Sequence, residues 1–137
     1  MKPEDFRIGD TVLLRPRLGI EERHLHVLLT KPQGDPPKAI MVHVTTFVEG
    51  LCEDNTLILD AGVHPFIVHK SYVWFSQGGL IDVAPLVTAI ERECAEFGQR
   101  CSLELLTEIR KGFLRCPEVS KRLKKLLTAA ISEEGKT

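Results

Sequence analysis

The sequence predicts an α+β fold: a small β-barrel of five to six short, mostly antiparallel strands followed by three C-terminal helices. Three observations carry this. Apolar residues recur with period two in short runs between residues 11 and 75, and from residue 82 the period lengthens to about 3.6. Turn-forming Gly, Pro and Asp residues separate the early runs. All strands precede the helices, which argues against a parallel α/β sheet, and short strands of this kind suit a small barrel or a strongly bent sheet. With 137 residues and an apolar fraction of 43%, the chain fits one domain, with a β part at 9–77 and a helical part at 82–131.

Gly9-Asp10 is a turn signal before a first strand at 11–15. Pro16, Gly19 and the pair Glu21-Glu22 mark a loop at 16–22. A second strand follows at 23–30. Side-chain alternation puts Leu25, Val27 and Leu29 on a core face and His24, His26 and Leu28 on the other. A loop rich in Pro, Gly and Asp at 31–38 leads to a third strand at 39–47, paired with the second as a hairpin. A fourth strand is expected at 56–60. Two strand-like pieces follow at 66–69 and 72–75, broken by Lys70-Ser71, and Gln77-Gly78-Gly79 ends the β part. Phe66 and Trp74 read as core.

Asp82 is a candidate N-cap for a helix at 83–97, with Val83, Leu86, Val87, Ile90 and Cys94 on its buried stripe and Gly98 at its end. Ser102 opens a second helix with Leu103, Leu106, Ile109 and Phe113 on its stripe, stopped by Gly112. Pro117 suits the first turn of a third, which buries Val119, Leu123, Leu126, Leu127 and Ile131.

Net charge is −1, so no global basic character points to nucleic acid. The charges are unevenly spread. Residues 1–97 hold nine Lys/Arg and fourteen Asp/Glu; residues 98–137 hold nine and five. Cys52, Cys94, Cys101 and Cys116 have no metal-binding spacing and read as buried, reduced thiols. No stretch resembles a signal peptide or a membrane span, so a cytoplasmic protein without membrane contact is expected.

All five histidines (His24, His26, His43, His64, His69) fall in the β part. His24 and His26 share a strand face, a pattern that could also hold a metal with His64, His69 or Asp60 as third ligand. His43 in Val-His-Val reads first as a packed or edge-strand residue, and His64 before Pro65 equally as a turn residue. Lys121, Arg122 and Lys125 form a basic patch on the third helix, suited to phosphate or an acidic partner, or simply a solvated face.

The order of several segments resembles the PemK/MazF family of toxin ribonucleases. Gly9-Asp10-Thr11-Val12 is similar to that family's first strand, and Arg23-His24-Leu25-His26-Val27-Leu28-Leu29-Thr30 to its second. Val42-His43-Val44-Thr45-Thr46 is similar to its next strand, and Val68-His69-Lys70-Ser71-Tyr72-Val73-Trp74 to the strand holding its Asp-x-Val-x-Ser-Ile pattern. Residues 102–109 resemble its last helix. Departures are Leu25 in place of a Pro, the reversed order of Arg23 and His24, His69 in place of the Asp, and the extra helix at 83–97.

The resemblance implies an SH3-like barrel, often dimeric, and cleavage of single-stranded RNA without a cofactor, with an antitoxin or other protein as partner. Such cleavage needs a base for the 2′-hydroxyl, an acid for the leaving 5′-oxygen and a donor for the charged phosphorane. The candidates are Arg23, His24, His26, Thr45 and Thr46, with His64 and His69 beside them and Lys121, Arg122 and Lys125 as RNA contacts. The alternative is a non-catalytic binding module of the same fold that contacts a protein partner.

Overall fold

Alternating aliphatic residues build the strands, and the computed structural model describes residues 1–14 and 23–136. Arg15 and the expected loop at 16–22 lie outside the described residues. The strands are β1 (Thr11–Leu14), β2 (His24–Leu28), β3 (Lys38–Thr46), β4 (Ile58–Leu59), β5 (Ser71–Val73), β6 (Gly79–Asp82) and β7 (Ala95–Phe97). They form one sheet in the spatial order β4-β5-β3-β2-β1-β7, with β6 also paired to β3. Every pairing is antiparallel. Three helices complete the α+β architecture: α1 (Ala84–Glu91), α2 (Leu103–Arg115) and α3 (Lys121–Glu134).

The sheet has seven strands rather than five or six, and it is open, with β4 and β7 at its ends. The two additional strands come from segments read otherwise. Residues 79–82 follow a Gly pair that was expected to end the β part, yet they pair with Lys38–Met41. Residues 95–97 fall inside the expected helix 83–97, yet they pair with β1. That helix stops at Glu91 in a Schellman turn: Glu93 N–H donates to Ile90 O (3.1 Å) and Cys94 N–H to Ala89 O (2.8 Å). Glu93 holds the left-handed position at φ 61° that Gly usually takes. Cys94 is therefore exposed, and Cys52 is half-buried; only Cys101 and Cys116 are buried. Asp82 pairs with Lys38 (2.6 Å) instead of capping α1.

β3 organises the sheet. One edge belongs to β2, while the other is divided between β6, along Lys38–Met41, and β5, along Val44–Thr46. A 3-10 turn at Phe75–Gln77 carries the chain between those two partners. Residues 66–69, expected as a strand, are not one: Phe66 ends a turn and the chain runs on irregularly to β5.

Both faces of the sheet carry apolar residues. On the first, Leu25, Val27, Leu29, Ile40, Val42 and Val44 pack with Leu105, Leu106, Ile109 and Phe113 of α2 and Leu127 of α3. On the second, Val12, Leu28 and Ala39 pack with Phe6, Val83, Leu86 and Val87. Leu28 thus follows the predicted alternation and is buried all the same. Full burial of each such side chain favours the fold by about 1.5–3 kcal/mol.

Ser102 caps α2 and Ser120 caps α3, each hydroxyl accepting from the N–H three residues on (3.1 and 3.2 Å). Pro117 therefore precedes α3 rather than lying in its first turn. Arg110 donates to both carboxylate oxygens of Glu134 (2.6 and 2.9 Å) and to Leu29 O, tying α2, α3 and the end of β2 together. Gly112 does not stop α2. A Cβ there would meet Phe75 Cζ at 2.6 Å, so the glycine lets the helix approach that fully buried ring. Leu103, expected on the buried stripe, is 76% exposed.

Candidate functional site

The start of β2, the end of β3 and the segment 66–71 meet at one corner of the sheet and enclose a cleft of about 250 Å³. Arg23, His24, Thr46, His69 and Ser71 line it, with Phe66 and Val68 at its apolar side. Four of the seven predicted catalytic residues therefore share one cleft, from three separate stretches of sequence. Thr46 and His69 are exposed. Ser71 is buried, and its hydroxyl donates to His69 O (2.8 Å), which fixes the backbone that presents the imidazole.

Arg23 also pairs with Glu96 of β7. Glu96 is invisible as a site neighbour from sequence because 95–97 reads as helix. The side chains are 40% and 55% exposed, so the pair contributes about 1 kcal/mol or less and does not commit the guanidinium.

The other face of the sheet holds a different group. His24 and His26 project there from β2 and His43 from β3, with ring centroids 5.6 Å (His24–His43) and 5.4 Å (His26–His43) apart. His43 then meets Trp74 with ring centroids 5.9 Å apart, and Trp74 meets Tyr72 at 6.2 Å, each pair tilted by about 50°. A row of rings thus crosses three strands beside the patch covered by α1. Trp74 is half-buried, while Phe66, also expected in the core, is 36% exposed. His24 belongs to both groups: it touches the cleft at the sheet corner, while its ring packs in the row.

Burial and the neighbouring imidazoles of His26 and His24 push the His43 pKa down to about 4. His26 is also lowered, chiefly by burial, and its Nδ1 is bonded to His24 O at 3.1 Å. A carbonyl can only accept, so Nδ1 carries the proton and Nε2 is left as the acceptor in the neutral ring. Thr45, opposite Tyr72 on this face, has a buried hydroxyl oxygen with no hydrogen-bond partner among the described residues.

His64 is separate from both groups. It is 3% exposed, with Nε2 bonded to Gln99 O and Nδ1 accepting from Phe66 N–H (3.0 Å). With both nitrogens engaged it acts as a pin between the 62–67 turn and the segment after β7. Lys121, Arg122 and Lys125 lie on α3, which covers the first sheet face; Lys121, Arg122 and Lys125 are not among the cleft-lining residues. Among the described residues no three His, Cys, Asp or Glu side chains are grouped to hold a metal ion. No helix among them is long and apolar enough to cross a membrane.

Fold and site together define an α+β domain with an open antiparallel sheet, an Arg–Thr–His cleft at one corner and a row of mostly neutral imidazoles on one face. The chain matches no protein-family model, no curated protein and no solved structure.

Proposed function

We propose that the corner cleft cleaves single-stranded RNA, as a toxin-like endoribonuclease. The observation that carries this reading is the convergence of Arg23, Thr46, His69 and His24 on one cleft. In this scheme His69 takes the proton from the 2′-hydroxyl, whose oxygen attacks the phosphorus. The bond to the 5′-oxygen breaks, and the leaving oxygen takes a proton from water, since the His24 ring packs in the row on the other sheet face. Products are a 2′,3′-cyclic phosphate and a 5′-hydroxyl. Arg23 exchanges Glu96 for the two non-bridging phosphorane oxygens, which its planar fork fits in two-point fashion, and Thr46 donates a further hydrogen bond to one of them. Phe66, at the apolar side, offers a ring on which a base stacks.

The order of segments that resembles the PemK/MazF toxins supports the same reading. Kinship with their SH3-like barrel, a dimeric state and an antitoxin partner belong to the proposal.

The test is incubation of the full chain with single-stranded RNA in the presence of a chelator. Cleavage that disappears in Arg23→Ala and His69→Ala supports the proposal. Intact RNA with folded wild-type protein refutes it.

A second reading is a non-catalytic module that binds a protein partner in the cleft. It is favoured by the exposed apolar side chains Phe66 and Val68 at the cleft. It predicts partner capture that is lost in Phe66→Ala and Val68→Ser, with no RNA cleavage.

A further inference from the structure

β4 is an end strand of the sheet, and no strand pairs with its outer edge among the described residues. A groove of about 390 Å³ runs beside it, between the strand and the first turns of α2. Leu57, Ile58 and Leu59 all line this groove. Leu57 directly precedes β4, and consecutive extended residues point to opposite faces, so a groove touching Leu57, Ile58 and Leu59 follows the edge of this two-residue strand. Val63 and Leu105 complete an apolar floor, and Val63 is 41% exposed.

The rim is acidic. Asp60, Glu104 and Glu108 line the groove and are exposed, and no Lys or Arg does so. Glu108 lies 4.0 Å from Lys111, both side chains largely exposed, an interaction too weak to hold the carboxylate from another partner.

We propose that this edge docks an extended cationic segment of another protein, which adds to β4 as a further strand. Leu57 O faces β5, so Ile58 turns its N–H and C=O outward and supplies a short, two-bond ladder, flanked by Thr56, whose C=O accepts from Arg115. Alternate apolar side chains enter the floor, and Lys or Arg side chains meet the three carboxylates. Charge decides the occupant. A second copy pairing β4 to β4 about a two-fold axis would set the same carboxylates against each other, which opposes self-pairing. The proposal is independent of the corner cleft.

Edge charges also have a purely protective use, since they discourage strand pairing altogether. The experiment separates the two. A short fluorescent peptide of alternating valine and lysine is titrated with the full chain by anisotropy, against a valine–glutamate peptide and a valine–lysine peptide N-methylated at alternate amides. The proposal expects saturable binding of the lysine peptide alone. It also expects weakening by about tenfold or more on N-methylation and in Asp60→Lys/Glu108→Lys, with the variant's fold verified by circular dichroism. Binding of neither peptide overturns it. So does equal binding of the N-methylated peptide, which would mean charge attraction without a strand. Dimerisation of Asp60→Asn/Glu108→Gln without peptide binding would assign the rim to guarding the edge.

Discussion

His43 lies directly opposite His26 across the β2–β3 pair, with ring centroids 5.4 Å apart. Two imidazolium ions at that distance repel, and burial already disfavours charge on either ring. Both folded pKa values are lowered, His43 to about 4 against an ordinary 6.5. The unfolded chain therefore binds more protons than the native one in the interval between. Stability is complete above about pH 6.5 and falls as pH drops toward 4. Melting temperature measured from pH 7 to 4 should fall steadily. The slope per imidazole stays under the limit of about 1.4 kcal/mol per pH unit, because His43 keeps some contact with water. His43→Phe should flatten that acid limb; an unchanged limb would exclude the row as its source.

His64 and His69 are five residues apart and should behave oppositely. His64→Ala leaves Phe66 N–H and Gln99 O without their partner, at a cost of about 1–3 kcal/mol. His69→Ala removes an exposed side chain, which changes stability by roughly 0.5 kcal/mol or less. Urea unfolding should rank them in that order, while RNA cleavage should fail in His69→Ala for lack of its base.

Gly112→Ala pits two effects against each other. Helix propensity favours alanine by about 1 kcal/mol. The new Cβ meets Phe75, which is 1% exposed and cannot retreat into solvent, and overpacking of that kind costs about 1–3 kcal/mol. Net destabilisation is expected, with partial recovery when Phe75→Leu is added, read from thermal unfolding of the single and double variants.

Glu93→Gly should stabilise the protein by about 1 kcal/mol, because glycine takes the left-handed C′ position of a Schellman turn without steric cost. Chemical denaturation of the variant measures this directly. A loss of stability would mean that the Glu93 side chain supports the turn.

The alternation in His24-Leu25-His26-Val27 was enough to place His24 and His26 on one sheet face, because period two is a local property; that His43 joins them follows from the β2–β3 register. The helix starts at Ser102 and Ser120 differ in legibility for a similar reason: Ser102 directly precedes an apolar stripe, while Pro117 offers a competing start upstream of Ser120. What was not legible depended on distant partners. Leu-Ile-Asp at 80–82 and Ala-Glu-Phe at 95–97 become strands only because β3 and β1 offer them edges. Gly112 reads as a helix stop until Phe75, far away in sequence, is seen to need its space. Of the cleft, Arg23, His24, Thr46 and His69 were chosen by residue type and by resemblance to a family; their proximity follows from the pairing of β3 with both β2 and β5. His64 resembled them in chemistry and differs through the Gln99 carbonyl, which no local pattern reveals.

The pairing of β7 with β1 has a consequence for how the chain is made and shortened. β1 is synthesised before β7, so its outer edge is satisfied only when residues 95–97 arrive, and His64 finds Gln99 later still. Until then the nascent β part exposes an apolar strand edge of the kind that recruits other chains. Residue 77, the end of the β part expected from sequence, is therefore a poor place to cut. A fragment ending there should be insoluble, whereas the β part with the chain continued through α2 retains both the closing strand and the pin.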